Sequence, residues 1–401
     1  MKKILLLGGS AQQVIAIETA KRMGYYTVLC DFLSDNPGQY VADKFYLVST
    51  TDKEAVLKVA VEEQVDGVLA YASDPAAPTA AFVAEKLGLP TNPCAAVETM
   101  CNKDRFRCFL YEHGFHSPKA KGYYSSEEVR KNIDEYHFPV IIKPVDSSGS
   151  KGVTVLHTLE ALDDALAFAF SFSRCHKIIV EEFVEKKHPY LIGGDVFVWD
   201  GKIILWGLLN CHRDNAVNPL VPVGKSFPLS LDEKDVTAVR LTLQRMVDQL
   251  GIRFGAMNVE LVVDGENRVW PIDVGPRNGG NMIPDLLGLI FGVDVVELSI
   301  KAAMGVANRI IVSEGKQCYA THNLHSCKEG TLERIKFSPV IEKHIIKKCI
   351  YKKRGDSVDY FDNAAKALGI VFLRFDNEEQ MHHLLNEITN EIEIVLEQEN
   401  K

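Results

Sequence analysis

A lysine followed by a loop of small residues could hold a phosphate group in this chain. Lys143 ends an apolar run at residues 140–142, and a serine- and glycine-rich loop follows at residues 147–152. Small side chains let backbone N–H groups approach an anion closely, and the lysine can neutralise a phosphate oxygen. The same pattern is also typical of a flexible hairpin with a surface lysine, so this segment alone leaves both interpretations open.

A second segment carries carboxylates at the end of a predicted strand. The apolar run at residues 178–180 ends in Glu181 and Glu182, and the apolar pair Phe183 and Val184 follows. A carboxylate or a backbone carbonyl can accept a hydrogen bond from the exocyclic amine of adenine, while apolar side chains cover the ring. This segment is therefore suited to a purine base.

A pair of acidic residues could bind a divalent cation. Glu260 and Asp273 lie 13 residues apart on two neighbouring predicted strands. Facing oxygen ligands suit Mg²⁺, which takes one or two protein carboxylates and otherwise phosphate and water. Either acid alone would more commonly be an exposed strand residue, but their order after the two segments above favours a metal site.

Two familiar nucleotide-binding loops are excluded. The turn that begins at Gly8 lacks glycine at the third and sixth positions of a dinucleotide-binding loop. Lys225 follows a glycine, but Pro219 stands where a Walker loop needs its first glycine. The chain is therefore neither a typical dehydrogenase nor a P-loop enzyme.

The spacing of the histidine and cysteine pairs in the sequence predicts neither a catalytic dyad nor a metal-chelating pair. Because side chains alternate along a strand, His322 and His325 are predicted to point to opposite faces, and the neighbours Cys211 and His212 to diverge. Arg213 opens a polar loop and could bind a substrate carboxylate, although a surface arginine is the commoner case.

Strands and helices alternate over the first 95 residues, which predicts a doubly wound parallel sheet. Strands are predicted at residues 4–7, 26–30 and 67–71, and helices at 14–23, 54–63 and 76–87. We therefore expect an α/β domain at residues 1–95.

A second unit, at residues 96–305, begins with a helix that Asn102 can cap. It contains a subdomain at about residues 116–185, and its later strands lie close together, as in a mixed or antiparallel sheet. Residues 306–401 are predicted to form an appended α+β piece, so the fold class is α/β with α+β.

The composition is that of an ordinary globular protein. The net charge of −9 gives no general basic field for nucleic acid, although a local patch could still bind it. No stretch approaches the 18 or so apolar residues of a membrane span. Nine cysteines without a C-x-x-C pair indicate reduced thiols, so we expect a cytoplasmic protein that binds neither membrane nor nucleic acid.

The order of these motifs resembles the ATP-grasp superfamily. The set is a lysine before a helix (Lys103), the lysine before the Ser-Gly loop, Glu-Glu-Phe-Val, Asn-Val-Glu-Leu at residues 258–261 and Ile-Asp-Val-Gly-Pro-Arg-Asn-Gly-Gly at residues 272–280. Residues 1–95 then look like the pre-ATP-grasp domain, and residues 96–305 like the two-lobed ATP-grasp domain with its lid. The tail is similar to that of the branch containing biotin carboxylase, carbamoyl-phosphate synthase and enzymes of purine biosynthesis.

The resemblance implies a role for each matching residue. Lys103 and Lys143 would contact the α- and β-phosphates of ATP, and Lys143 and Arg277 would act in catalysis. Glu260 and Asp273 would bind Mg²⁺, or Mn²⁺ in its place. The remaining nucleotide-binding residues would be Ser147, Ser148, Gly149, Ser150 and Gly152 in the lid loop and Glu181, Glu182, Phe183 and Val184 at the adenine.

The chain departs from the family pattern at three points. The family motif Glu-x-Asn-Pro-Arg is replaced by Asp273 to Arg277 with Gly275 in place of asparagine, so Asn278 or a water would fill the gap. The ribose-binding acid is not obvious, and Asp195 is the nearest candidate. No set specific to one member's second substrate is recognised, which leaves Arg213, Arg277 and Asn278 as candidate substrate residues.

The resemblance implies an ATP-dependent carboxylate-amine ligase. A substrate carboxylate would attack the γ-phosphate, and an amine or similar nucleophile would displace phosphate from the acyl phosphate. Two alternatives stay open: a bicarbonate- or carbamate-activating enzyme, and a non-catalytic nucleotide-binding regulatory module. The partners would be a small carboxylate and an amine-type nucleophile, and the family makes a homodimer plausible.

Overall fold

The computed structural model describes residues 1–306 and 312–397. Its strands are β1 Lys3–Leu7, β2 Tyr26–Asp31, β3 Lys44–Leu47, β4 Gly67–Leu69, β5 Ala120–Tyr123, β6 Val140–Pro144, β7 Thr154–Leu156, β8 Ile178–Glu182, β9 Leu191–Trp199, β10 Lys202–Asp214, β11 Asn218–Phe227, β12 Phe254–Val263, β13 Val269–Gly275, β14 Cys318–Leu324, β15 Gly330–Phe337, β16 Ile345–Ile350, β17 Ser357–Val358, β18 Gly369–Phe375 and β19 Ile392–Leu396. Its α-helices are α1 Val14–Arg22, α2 Lys53–Glu63, α3 Ala77–Lys86, α4 Cys94–Cys101, α5 Lys103–Glu112, α6 Ser126–Asn132, α7 Leu162–Phe172, α8 Glu233–Leu250, α9 Ile283–Phe291, α10 Val295–Ala303, α11 Pro339–Glu342, α12 Glu378–Asn386 and α13 Ile388–Glu391.

The N-terminal sheet is parallel and has the strand order β3-β2-β1-β4. Side chains alternate along β1, so Leu5 and Leu7 pack against α2 and α3, whereas Ile4 and Leu6 pack against α1 and α10. Helices cover both faces, which confirms the doubly wound sheet. One of them, α10, comes from much later in the chain and joins this domain to the rest.

The predicted lid is a separate antiparallel sheet with the order β5-β8-β6-β7. Its inner face packs against α6 and α7 through Val129, Ile142, Leu166 and Val180. Because β6 and β7 pair with each other, the loop at residues 147–152 lies at the end of a hairpin. The lid sheet therefore holds Lys143 and this loop together.

The largest sheet has eight antiparallel strands in the order β13-β12-β9-β10-β11-β14-β18-β16. Three of these strands, β14, β16 and β18, belong to the segment that the sequence predicted to be appended. β14 pairs with β11 from Tyr319 to His322, so the C-terminal segment continues the sheet of the second unit. β11 contains Pro219 and Pro222, which weaken any strand pattern and explain why it was not predicted.

The remaining C-terminal elements form a second core beside this sheet. The small sheet β17-β15-β19 and helix α12 pack against β14 and β18 through Leu332, Met381, Leu384 and Leu373. Within residues 1–306 and 312–397, no helix has the length and apolar character that crossing a membrane requires.

Candidate active site

A cleft of about 930 Å³ lies between the lid and the eight-stranded sheet. Volumes of this size are typical of small-molecule sites. The cleft brings together most of the residues singled out in the sequence: Lys103, Lys143, Ser147, Ser148, Gly149, Ser150, Glu181, Glu182, Phe183, Val184, Arg213, Glu260 and Asp273. Gly152, Asp195, Arg277 and Asn278 do not line it.

A buried ion-pair network holds Lys143. Its ammonium contacts Glu181 Oε1, and Arg107 donates to both oxygens of the same carboxylate, from Nε at 3.0 Å and from Nη2 at 3.3 Å. Although burial by itself raises the pKa of the Glu181 carboxyl, the two cations lower it to about 2. Burial lowers the pKa of Lys143 from its ordinary value. The Glu181 carboxylate is thus occupied by two cations, so it positions Lys143 and its direct contact with adenine is not supported.

The segment after Glu181 leaves backbone groups and an apolar ring at the cleft. Glu182 accepts a hydrogen bond from the His137 N–H at 3.0 Å, and the Phe183 N–H donates to Pro139 O at 3.0 Å. The Val184 N–H has no protein partner within the described part of the chain. The Phe183 side chain is 41% exposed, so an aromatic face and a free N–H are available to a ligand here.

Lys103 connects the lid loop to the acidic pair. As predicted, Asn102 caps α5, because its side chain accepts from the Arg105 N–H at 3.1 Å. The Lys103 ammonium therefore lies at the start of this helix, where it donates to Ser147 O at 2.8 Å and lies 3.8 Å from Asp273 Oδ2. One cation thus faces both the phosphate loop and the acids.

Glu260 and Asp273 are direct neighbours across β12 and β13. Arg213 approaches Glu260 Oε1 at 3.4 Å. Burial raises the pKa of Glu260, but Arg213 and Lys225 more than offset it and keep that pKa below its usual value. Two opposed carboxylate oxygens fit Mg²⁺, with phosphate and water as its other ligands. In residues 1–306 and 312–397, no group of three or more His, Cys, Asp or Glu side chains could hold a metal by itself.

Arg277 is engaged elsewhere. Its Nε donates to Asp74 Oδ1 at 2.7 Å and its Nη2 to Asp74 Oδ2, so a carboxylate of the N-terminal domain holds it in a two-point ion pair. A side chain at Gly275 would place its Cβ 2.5 Å from Asp74 Oδ1. Arg277 therefore pairs with Asp74 and does not point to a transferring phosphoryl group, although the resemblance implied that contact. Asp74 also occupies the space beside Gly275.

Three predicted binding residues have structural contacts instead. The Asp195 carboxylate is buried under the turn after β13, where it accepts from the Gly279 N–H at 2.8 Å, so it does not reach a ribose in the cleft. Asn278 is buried against α10, and its Oδ1 accepts from Ser299 Oγ at 2.9 Å, so it cannot fill the gap between the acids. A Cβ at Gly152 would lie 2.9 Å from Pro144 Cγ, so this glycine packs the lid hairpin.

One lysine near the acids was not predicted as a site residue, and it is not among the residues that line the cleft. Lys225 is buried, its ammonium contacts Cys211 Sγ, and a Cβ at Gly193 would lie 3.0 Å from its Nζ. Gly193 is paired with Glu260 across β9 and β12, so this lysine faces the acids. In the sequence, Lys225 stands out only as part of a P-loop pattern that Pro219 excludes, and two prolines hide the buried-strand pattern around it.

The prediction that His322 and His325 point to opposite faces was wrong. The rings of His322 and His325 lie 5.4 Å apart, because β14 ends at Leu324 and the alternation of side chains ends with it. The adjacent residues His212 and Arg213 both line the cleft, because the register between β10 and β11 shifts at this point.

Comparison with known proteins identifies the class. Residues 103–310 match the family described as carbamoyl-phosphate synthase L chain, ATP binding domain. The chain is 32% identical over 341 residues to the formate-dependent phosphoribosylglycinamide formyltransferase of Synechococcus sp. (strain CC9311), which covers 79% of this chain and 82% of that protein.

Two solved structures share the fold. L-amino acid ligase from Bacillus licheniformis superposes with a TM-score of 0.81 at 19% identity, covering 99% of both chains. The biotin carboxylase domain dimer of Hydrogenobacter thermophilus 2-oxoglutarate carboxylase, in complex with MgADP and bicarbonate, gives a TM-score of 0.74 at 17% identity and covers 98% of this chain and 91% of that one. The fold and the family match together define an ATP-binding enzyme of the ligase type.

The chain belongs to the ATP-grasp superfamily. The resemblance inferred from the order of the sequence motifs is thereby confirmed, as are the fold class and the ATP-dependent enzyme class.

Proposed function

We propose that the enzyme activates a small-molecule carboxylate with ATP and Mg²⁺, or Mn²⁺ in its place, and couples the acyl phosphate to an amine or a similar nucleophile. The observation that carries this proposal is the convergence of Lys103, Lys143, Glu260 and Asp273 on one cleft. A molecule that merely bound nucleotide would have little use for two facing metal carboxylates beside two lysines.

The reaction divides into two balanced steps. A carboxylate oxygen attacks the γ-phosphorus, the bond to the β-phosphate oxygen breaks, and ADP leaves. The amine nitrogen then attacks the acyl carbon, inorganic phosphate leaves, and the nitrogen loses a proton to solvent or a base. Positioning and charge stabilisation supply most of the catalysis in phosphoryl transfer, so no side-chain nucleophile is required.

The residues of the cleft have distinct roles in this proposal. Lys103 and Lys143 bind phosphate oxygens, and the loop from Ser147 to Ser150 closes over them and excludes water. Bound Mg²⁺ would be held by Glu260 and Asp273 and would offset charge on the phosphates.

The contacts support the following roles for the other residues of the site. The Val184 N–H and the Phe183 ring bind adenine, with Glu182 at the edge of that pocket. Arg213 binds the substrate carboxylate, and the buried Lys225 offsets the charge of Glu260 from behind the cleft lining. Arg277 pairs with Asp74 outside the cleft and has a positioning role in the site.

A second candidate function is the activation of bicarbonate, because the carboxylase domain named above was solved with bicarbonate and MgADP. It predicts ADP release that requires bicarbonate and no organic carboxylate. A regulatory module predicts nucleotide binding without ADP release.

One assay separates these possibilities. ADP and hydroxamate are measured with MgATP, hydroxylamine and a panel of carboxylates, with and without bicarbonate. Hydroxylamine traps an acyl phosphate as a hydroxamate, so the ligase gives both products with one or more organic acids. Lys143→Ala should abolish both with little loss of fold stability, because Arg107 still pairs with Glu181. The exposed Lys202→Ala is the matched control.

The outcomes differ for each alternative. If ADP is released only when bicarbonate is present and no hydroxamate forms, the enzyme activates bicarbonate and the ligase proposal is wrong. If nucleotide raises the unfolding temperature but no ADP is released, the protein is a regulatory module that binds nucleotide without catalysis. A bound ligand at about 100 times its dissociation constant adds roughly 2.7 kcal/mol, which is a rise of a few degrees in a chain of this size.

We further propose a cytoplasmic enzyme with three domains at residues 1–95, 96–305 and 306–401, acting on small molecules as a homodimer. The support is nine cysteines without disulfide partners, the separate cores of the N-terminal and lid sheets, and the dimer named for the related carboxylase domain. Sedimentation of the purified protein tests the dimer.

A further inference from the structure

The cleft extends beyond the proposed phosphate and metal site into a region lined by three histidines. His212, His322 and His325 line the same cleft as Lys143 and Glu260. None of the three has a role in the phosphoryl transfer proposed above. Their positions therefore point to the part of a substrate that lies beyond its reacting carboxylate.

Two of the histidines stand in one row of the large sheet. His212 on β10 pairs with Gly224 on β11, and Gly224 pairs with His322 on β14. Residues in one row share a face, and strands two positions apart are separated by about 10 Å. Gly224 carries no side chain, so the two imidazoles flank a floor of bare backbone.

The hydrogen bonds of the three rings differ. His212 Nε2 lies 2.8 Å from Ser226 Oγ, which leaves its Nδ1 for a ligand. Both ring nitrogens of His325 are engaged, Nδ1 with Asn323 O at 2.7 Å and Nε2 with Asp214 Oδ2 at 2.9 Å, so this ring serves as a wall of the region. His322 is buried and makes no side-chain hydrogen bond within residues 1–306 and 312–397. A neutral imidazole has one donor and one acceptor, so His322 can offer both to a ligand.

Burial keeps two of these rings uncharged. It lowers the pKa of His212 to about 3, with further lowering by His382, Lys225 and Arg213, and it lowers the pKa of His322 well below its usual value. Uncharged imidazoles form hydrogen bonds but do not neutralise a charged ligand group.

The walls of this region limit the size and shape of the ligand. The Tyr190 ring lies 4.5 Å from the His212 ring, and its hydroxyl is 3.3 Å from His382 Nδ1, which fixes its position. Leu385 and Ile388 line the cleft from the C-terminal helices. Small planar groups suit a space between aromatic and aliphatic walls.

We propose that His212, His322 and His325 form a specificity subsite, which we call the histidine subsite, and that it binds an uncharged carboxamide group on the carboxylate substrate. The proposal rests on the function proposed above, with the reacting carboxylate at Arg213. A carboxamide is planar and has both a donor and an acceptor, which matches an imidazole pair. A carboxylate, an ammonium or an alkyl group at the same place leaves at least one of these bonds unmade or one charge unpaired.

The test compares probes of equal length. Glutaramate, glutarate, 5-aminopentanoate and 5-methylhexanoate differ only in the terminal group, and succinamate with its own matched acids gives a shorter series. Binding is measured by calorimetry with the full-length protein, both with Mg²⁺ and a non-hydrolysable ATP analogue and without nucleotide. The amide should bind about ten-fold or more tightly than the others at one chain length, because one hydrogen bond to an uncharged partner is worth about that factor.

Variants locate the preference. His322→Leu should remove the preference for the amide, and His322→Gln, which keeps a donor and an acceptor, should retain it. The exposed His176→Ala is the control and should change nothing. ¹⁵N shifts of the His322 ring should move with the amide probes and not with the others.

The possible results distinguish a failure of the histidine subsite from a failure of the proposed function. No preference for the amide at either chain length, or a preference that survives His322→Leu, overturns the histidine subsite. If the nucleotide analogue fails to bind, the proposed function fails, whereas the ranking of probes without nucleotide still reports on the subsite. If the analogue binds and the ranking is wrong, only the subsite is lost.

Discussion

The buried network of Arg107, Glu181 and Lys143 gives a quantitative test of how the lid is held together. Replacing Glu181 by glutamine keeps its shape and removes its charge, which leaves two cations buried side by side. The pKa of Glu181 is lowered from 4.5 to about 2, and a difference of this size corresponds to roughly 3 kcal/mol of stability at neutral pH. Breaking a buried ion pair typically costs about 3 to 5 kcal/mol, which agrees.

The assay is denaturant unfolding of Glu181→Gln beside Glu182→Gln. The control changes the adjacent glutamate, whose carboxylate accepts one hydrogen bond from the His137 N–H and whose loss should cost about 1 kcal/mol or less. We expect Glu181→Gln to lower the stability of the lid by about 3 kcal/mol and to weaken nucleotide binding, since Lys143 loses its anchor.

The stabilisation by the Glu181 carboxylate should depend on pH in a defined direction. Because the pKa of Glu181 is lowered in the folded state, its stabilisation is complete above pH 4.5 and is lost as the pH falls towards about 2. The difference between the parent protein and Glu181→Gln should therefore shrink over that range. Equal stability of Glu181→Gln and Glu182→Gln at pH 7 would refute the reasoning.

Three further predictions follow from other contacts. Asp74→Ala leaves the partly buried Arg277 without its partner and should lower the free energy of unfolding by about 2 kcal/mol, whereas a loss below about 1 kcal/mol would show that the pair is solvated. Arg213→Met should lower ADP release about a hundred-fold or more with little change in unfolding temperature, because Arg213 lines the cleft beside Glu260, and Lys202→Met should change neither. Burial raises the pKa of Asp195 to about 6, so its ionisation removes stability as the pH rises from about 4 through 6; Asp195→Asn should flatten this pH profile, and an unchanged profile would contradict it.

The local features of the site were predictable because each depends on neighbours in the chain. Asn102 is followed by a helix with Lys103 in its first turn, and the capping hydrogen bond is made as the sequence indicates. Lys143 ends an apolar strand, and the pleat of that strand places its side chain at the cleft. Glu260 and Asp273 face each other because the strands that carry them form consecutive members of one sheet.

Contacts between distant segments could not be predicted in this way. Arg277 pairs with Asp74, which lies in another domain, and no local pattern connects them. Asp195 has the chemistry of a ligand-binding acid, but the Gly279 turn folds over it and buries it. His322 and His325 meet because a strand ends between them, which alternation alone cannot indicate.

The sequence by itself determined the class of protein, the parallel N-terminal sheet and the groups that could bind phosphate and metal. Only the tertiary structure decided which of these groups share the cleft. It brought His212, His322 and His325 into the same cleft and placed Asp195, Asn278 and Arg277 outside it. The physical reason is that strand periodicity and helix capping act over a few residues, whereas burial and ion pairing depend on which surfaces meet when separate sheets pack.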